Sequence, residues 1–228
     1  MHYYGIYFWR DIVKNILCYG NSNVRGVIPE KVRGTLVKVY DKNKRWTGIL
    51  QKLLGDDYNV IEEGMGGRTT QFDEINPGRP YRNGLKDLPL FLEAHYPIDL
   101  IIFFLGINDT KTQYNANADD IAKGMQQLIQ CIQNSKKGRN EKAPAVLLVS
   151  PIPIQRIPDL PSEFDKTSIA KSALLTILYK NLADEMHCDF LNTSENIKAS
   201  QNDGLHLDES EHVVLANSIY KKILMLFK

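Results

Sequence analysis

The sequence predicts an α/β fold, a three-layer, flavodoxin-like arrangement in which a five-stranded parallel sheet has helices on both faces. Short apolar runs alternate with helical patterns along the chain, which is typical of βαβ units with right-handed crossovers. The segment Asp99–Leu105 is apolar after its first residue, as in a central strand buried on both faces. The chain has 228 residues, 43% of them hydrophobic, which is enough for one domain with a sizeable core.

Five short apolar segments are predicted to be strands because turn or helix signals bound each of them. The first ends in the glycine-containing turn Gly20–Ser22, and the second leads into a glycine-rich stretch at residues 64–67. The predicted strands are Asn15–Tyr19, Asn59–Ile61, Asp99–Leu105, Ala145–Val149 and Cys188–Leu191.

Segments whose apolar residues have helical spacing lie between these strands and after the last one. Gly55 ends the first helix, Pro97 follows the second, and Asp119 and Asp120 begin the third, where acidic side chains are favourable. The predicted helices are Thr47–Leu54, Leu85–His95, Asp119–Gln133, Ser168–Met186 and Glu211–Phe227, with a proline-rich loop from Pro151 to Pro161 before the fourth.

Composition excludes several classes of protein. Lys and Arg number 28 and Asp and Glu 27, for a net charge of +1, which disfavours a nucleic-acid binder. Three scattered cysteines do not suit a disulfide framework or a zinc module. No apolar run reaches the roughly 18–20 residues of a membrane span. We therefore expect a cytoplasmic protein with no nucleic-acid partner.

The first 13 residues form an apolar, aromatic extension before the predicted domain at residues 14–228. They lack the basic start and small-residue cleavage site of a secretory signal. The extension is expected to pack on the surface or at a subunit contact.

Unusual residues follow four of the strands, and these loops converge at the carboxyl edge of a parallel sheet. Ser22 follows the first strand, Gly66 and Gly67 the second, and Asn108 the third. Each has an ordinary interpretation taken alone: a turn or helix-capping serine, a tight glycine turn, and a capping asparagine.

After the fifth strand, Asp203 precedes His206 by three residues, so the carboxylate can orient the imidazole ring. The pair alone is also typical of a surface histidine. Together, the four loops supply a nucleophile, a base, an orienting carboxylate and oxyanion donors, the set that acyl transfer needs. A flavodoxin-like phosphate- or nucleotide-binding protein would share the first loop, but it would not explain Asp203 and His206.

Four short motifs resemble, in their order along the chain, the four sequence blocks of the SGNH (GDSL) hydrolases. They are GNSN, GMGGRTT, GIND and DGLH. The resemblance covers nearly the whole chain from Lys14, and the segments at residues 45–48, 60–64, 68–70 and 109–111 are similar to the arylesterase/acyltransferase branch. The family usually has Gly-Asp-Ser in the first block, whereas this chain has Asn21 before the serine, which removes a negative charge beside the site.

The resemblance implies a role for each block residue. Ser22 is the implied nucleophile, His206 the general base and Asp203 the residue that orients it. The implied oxyanion hole consists of the backbone N–H groups of Ser22 and Gly67 and the side-chain amide of Asn108. No metal and no organic cofactor are implied.

The implied function is a serine esterase that hydrolyses or transfers short acyl groups of a small-molecule ester. Carbohydrate deacetylation and thioester cleavage would use the same residues, and an inactive SGNH scaffold would keep the fold. Members of this branch often assemble, so the resemblance also favours a homo-oligomer.

Overall fold

The computed structural model describes residues 13–31 and 36–227. Its strands are β1 (Lys14–Gly20), β2 (Tyr58–Gly64), β3 (Leu100–Phe104), β4 (Ala145–Val149) and β5 (Asp189–Leu191). They form one sheet in the order β2-β1-β3-β4-β5, and every neighbouring pair is parallel. The predicted α/β fold with a five-stranded parallel sheet is confirmed.

The helices are α1 (Ser22–Arg25), α2 (Trp46–Leu54), α3 (Gly84–Ala94), α4 (Ala118–Gln133), α5 (Lys166–Glu185) and α6 (Glu209–Leu226). All but α1 match predicted helices, with small shifts at their ends. Helices α4 and α5 begin earlier than predicted because Asn117 and Asp165 cap them through side-chain oxygens that accept backbone N–H groups. The single turn α1 was not predicted, because four residues carry no periodic signal.

Successive residues of the central strands point to opposite faces of the sheet, and this alternation builds two apolar layers. On one face, Leu17 and Tyr19 of β1 pack with residues of α3, α4 and α5. On the other face, Ile16 and Cys18 pack with residues of α2 and α6. All five residues of β3 are buried, as expected for a central strand covered on both faces.

The register of the sheet brings three strand ends side by side. Gly20 at the end of β1 pairs with Gly64 of β2 and with Phe104 of β3. The loops at residues 21–23, 65–67 and 106–109 therefore start from one edge of the sheet, the edge at which ligands bind in open parallel sheets.

The predicted extension, residues 1–13, lies outside the described residues except for Val13, and its separation from a domain at 14–228 stays a prediction. Within the described ranges, no helix has the length and apolar character needed to cross a bilayer.

Candidate active site

Ser22 is the first residue of α1 and lies directly after the end of β1. Asn21 caps this helix, because its side-chain oxygen accepts the backbone N–H of Asn23 at 2.9 Å. An aspartate oxygen could accept the same bond. The departure from Gly-Asp-Ser is thus compatible with the same turn, and Asn21 itself is buried.

Ser22, His206 and Asp203 form a continuous chain of contacts although 184 residues separate the serine from the histidine. Nε2 of His206 lies 2.9 Å from Oγ of Ser22, and Nδ1 of His206 lies 2.5 Å from Oδ2 of Asp203. All three residues are buried. With Asp203 ionised, Nδ1 donates to the carboxylate and Nε2 is left to accept the serine hydroxyl.

The loop around Asp203 holds its carboxylate in the ionised form. Burial acts to raise the pKa of Asp203, but the side chain of His206 and the backbone N–H groups of His206 and Leu205 outweigh it, so the pKa lies below its usual value. Both backbone N–H groups donate to Oδ1 at 3.0 Å. A carboxylate that accepts several N–H groups is stabilised in its charged form.

Gly67 and Asn108 line the same cavity as Ser22 and His206. Gly67 has a φ of 86° in the left-handed region, and a Cβ there would lie 2.6 Å from Nη2 of Arg79, so glycine suits this position for two reasons. The amide of Asn108 donates from Nδ2 to the carbonyl oxygen of Arg68 at 3.0 Å. Because Nδ2 carries two hydrogens, one remains for a ligand.

The cavity has a volume of about 100 Å³, which is small against the roughly 300–1,000 Å³ of typical small-molecule pockets. Apolar side chains of Val27, Ile107 and Phe164 form part of its wall. Two ion pairs also face it, Lys38 with Glu30 at 2.6 Å and Lys111 with Glu163 at 3.6 Å. Over the residues described, no group of three or more His, Cys, Asp or Glu side chains could hold a metal ion.

The sequence profile of the GDSL-like lipase/acylhydrolase family matches residues 18–212. The chain belongs to the GDSL-like lipase/acylhydrolase family. The recognition of an SGNH (GDSL) hydrolase is therefore confirmed, and the chain is an esterase of the GDSL type. A comparison with curated protein sequences found no match.

Solved structures of esterases share the whole fold of this GDSL-like chain. An aryl esterase from M. smegmatis is 35% identical with a TM-score of 0.86, covering 93% of this chain and 99% of that chain. A carbohydrate acetylesterase from Sinorhizobium meliloti is 36% identical with a TM-score of 0.86, at the same coverage of 93% and 99%. A carbohydrate acetylesterase family member from the same organism is 32% identical with a TM-score of 0.83, covering 93% and 98%.

Sequence reasoning did not single out Asn23, which joins the two ends of this GDSL-like site. Its Nδ2 donates to the carbonyl oxygen of Leu205 at 3.1 Å, and its Oδ1 accepts the N–H of Leu207 at 3.2 Å. These bonds fix the backbone on either side of His206 to the helix that carries Ser22. An asparagine one residue after the serine gives no local signal for partners more than 180 residues away.

The sequence motif gives Arg68 no role of its own, yet its side chain is a buried cation at this edge of the sheet. It is 1% exposed, and its guanidinium stacks 4.2 Å from the ring centroid of Tyr19. Its Nη1 donates to the carbonyl oxygens of Gly20 and Glu63. Arg68 therefore joins the ends of β1 and β2, while its own carbonyl positions Asn108.

Asp109 is a second buried group that motif reading left without a role. Its Oδ1 accepts both the N–H of Thr70 at 2.8 Å and the hydroxyl of Thr70 at 2.6 Å. Burial raises the pKa of Asp109 to about 6, against the opposing effect of the bonds from Thr70. Asp109 directly follows Asn108, so its bonds to Thr70 connect the Asn108 loop to the segment that follows Gly67.

Proposed function

We propose that this esterase hydrolyses or transfers short acyl groups through Ser22, His206 and Asp203. The observation that carries the proposal is the 2.9 Å separation of Nε2 of His206 from Oγ of Ser22, with Asp203 on the other ring nitrogen. This is the arrangement in which a histidine activates a serine hydroxyl.

In the proposed reaction, His206 takes the hydroxyl proton while Oγ of Ser22 attacks the carbonyl carbon of the ester. The carbonyl oxygen becomes an oxyanion, and the backbone N–H groups of Ser22 and Gly67 and the side-chain amide of Asn108 stabilise it. Each such donor lowers the barrier by about 2–4 kcal/mol. His206 then protonates the leaving alcohol.

The acyl group left on Ser22 is transferred in a second step. His206 removes a proton from water or from another alcohol, whose oxygen attacks the acyl carbon. The bond between that carbon and Oγ of Ser22 then breaks, and His206 returns the proton to Oγ. Hydrolysis and acyl transfer differ only in this acceptor, and a dry cavity favours the alcohol. The small cavity volume of about 100 Å³ supports short acyl groups as substrates.

A carbohydrate acetyl ester is a second candidate substrate, because two of the similar structures are described as a carbohydrate acetylesterase and a member of that family. It requires the same chemistry and differs only in the alcohol. Acetate release from acetylated xylose, compared with hydrolysis of phenyl acetate, separates the two classes. A phosphate-binding role is less well supported, because α1 has only four residues and its Ser22 hydroxyl already contacts His206.

The test measures p-nitrophenol release from acetyl to octanoyl esters by the wild type, Ser22→Ala, His206→Ala and the double variant. We expect activity that falls with acyl length, and similar losses in all three variants because the residues act as a unit. Equal activity of the wild type and Ser22→Ala would rule out Ser22 as the nucleophile. Single losses that multiply in the double variant would contradict a shared mechanism. A wild type inactive on all esters would instead point to an inactive scaffold.

A further inference from the structure

Arg79 lies on the wall of the cavity, directly beside the proposed oxyanion donor. Its Nη2 donates to the carbonyl oxygen of Gly66 at 3.3 Å. The same atom would be 2.6 Å from a Cβ at Gly67. The guanidinium therefore lies against the backbone of these two glycines and is itself part of the cavity lining.

Among the described residues, Arg79 is the one cavity-lining cation without a carboxylate in ion-pair contact. The cavity-lining Lys38 pairs with Glu30, and Lys111 pairs with Glu163. Within the described part of the chain, Arg79 has one hydrogen bond, to a backbone carbonyl, and its charge lowers the pKa of Glu74 without an ion-pair contact. Its five N–H donors are far from satisfied by one acceptor, so it can accommodate a further anionic group.

Other cations strengthen the positive potential on this side of the cavity. Arg82 lies close enough that its Cδ would be 3.5 Å from a Cβ at Gly67. Its pKa is lowered by burial and then by the charges of Arg79, Arg68 and Arg25, with Glu74 opposing them. Glu74 is already engaged, since its Oε1 accepts from Gln113 at 2.9 Å and from the N–H of Asn76 at 3.2 Å.

We propose that Arg79 binds a carboxylate on the ester substrate, so that this enzyme prefers anionic esters to neutral ones. The inference rests on the proposed function and names its substrate class. A planar guanidinium matches a carboxylate through two parallel hydrogen bonds, which gives both affinity and orientation. Because the cavity is small, the carboxylate lies within a few bonds of the ester carbonyl, on either the acyl part or the alcohol part.

The experiment compares four esters at pH 7.5. p-Nitrophenyl hemiglutarate carries a carboxylate on the acyl part, with p-nitrophenyl valerate as its neutral partner. 3-Carboxy-4-nitrophenyl acetate carries a carboxylate on the alcohol part, with p-nitrophenyl acetate as its neutral partner. For each ester, kcat/KM of the wild type is divided by that of Arg79→Gln, so that differences in intrinsic reactivity cancel.

We expect the loss in Arg79→Gln to be about tenfold larger for one anionic ester than for its neutral partner, which is the size expected for a charge-assisted hydrogen bond. Arg79→Lys keeps the charge and should recover part of the loss. Arg82→Gln is the matched control, because it removes a positive charge from the same loop without removing a side chain that lines the cavity. Because Arg82 acts on the cavity only through its field, Arg82→Gln should reduce the preference for anionic esters much less than Arg79→Gln does.

Three results would overturn the inference. Equal losses on anionic and neutral esters would show that Arg79 acts on the oxyanion rather than on a substrate carboxylate. If Arg79→Gln and Arg82→Gln reduced the preference for anionic over neutral esters equally, the positive charge of the whole loop would act on the substrate, rather than a direct contact with Arg79. No difference between wild type and Arg79→Gln would exclude a role in substrate choice.

A binding measurement keeps the inference separate from the proposed function, because it needs no turnover. Ligand-observed NMR follows glutarate with Ser22→Ala and with Ser22→Ala/Arg79→Gln. We expect glutarate to bind the first protein and to lose binding to the second. Equal binding to both would contradict the inference even if the wild type proves to be an active esterase, whereas an inactive wild type that binds glutarate through Arg79 would contradict only the proposed reaction.

Discussion

The polar layer behind the candidate active site and the rim of its cavity are built in opposite ways. The site floor, defined here as Asn23, Arg68, Thr70, Asn108, Asp109 and Asp203, consists of polar side chains that are at most 6% exposed. Each of them is fixed by hydrogen bonds to other floor residues or to backbone. The rim, defined as Ile28, Leu36, Val37, Lys38, Arg79 and Glu163, lies on loops and includes side chains as open as Leu36, which is 81% exposed.

The difference assigns separate tasks to the two sides. Groups that must hold a reacting atom within a fraction of an ångström need locked rotamers, and hydrogen bonds to the buried floor residues provide them. Two floor atoms, Nε of Arg68 and Oδ2 of Asp109, have no hydrogen-bond partner among the described residues. Groups that select a substrate tolerate exposure and change, as loop residues generally do. Variants of the floor should therefore act on the rate of the chemical step, and variants of the rim on substrate preference.

The largest expected effect comes from Asp203→Asn. An asparagine can keep accepting the two backbone N–H groups at Oδ1, but its amide would donate to Nδ1 of His206 and force the wrong tautomer. We expect kcat on p-nitrophenyl acetate to fall about 10⁴-fold while the folded state is retained. Circular dichroism melting is the control for folding. A loss of less than tenfold would show that Asp203 does not orient the base.

A smaller loss is expected for Asn108→Ala, which removes one proposed oxyanion donor and the bond to the carbonyl oxygen of Arg68. kcat should fall by about 10²–10³-fold with little change in KM, because the donor acts mainly on the transition state. Asn217→Ala, at an exposed position of α6, is the control. A change in KM alone would argue that Asn108 binds the substrate rather than the oxyanion.

Asp109→Asn tests a floor residue through the free energy of unfolding rather than through the rate of ester hydrolysis. Because burial raises the pKa of Asp109 to about 6, the folded protein holds this proton more tightly than the unfolded chain. The ionised carboxylate therefore destabilises the wild type progressively as pH rises from about 4 through 6.

Relative to the wild type, Asp109→Asn should gain on the order of 1 kcal/mol in free energy of unfolding between pH 5 and pH 7.5. Urea denaturation at both pH values measures the difference. Asp56→Asn, at an exposed carboxylate, is the matched control and should show less change. A pH-independent difference for Asp109→Asn would mean that Asp109 does not titrate in this range.

The smallest effect is expected at the rim. Leu36→Ser removes an apolar side chain that is 81% exposed but lines the cavity. The free energy of unfolding should change by no more than about 0.5 kcal/mol, while the preference among acyl lengths shifts a few-fold towards the shortest. A large loss of stability would show that the rim is part of the core.

The sequence predicts the sheet and its helices well, because alternating apolar runs report burial directly. The sequence also predicts the site residues. The fold brings Ser22, Gly67, Asn108 and His206 to one cavity and places Asp203 against His206, and the catalytic roles of all five stay predictions. Local patterns could not reveal the floor contacts made by Asn23, Arg68 and Asp109. These depend on partners tens of residues away or more, and no periodicity encodes them.

The bonds from Asn23 to the segment around His206 have a consequence for how activity appears during folding. Ser22 and His206 are separated by 184 positions, and closing so long a loop costs conformational entropy. We therefore expect the two side chains to meet late in folding, when the sheet and the packing of α6 with α2 are in place. Ester hydrolysis should therefore report completion of the tertiary fold. In a refolding experiment, the far-UV circular dichroism signal of the helices should recover first. Ester turnover should return with the slowest tertiary step.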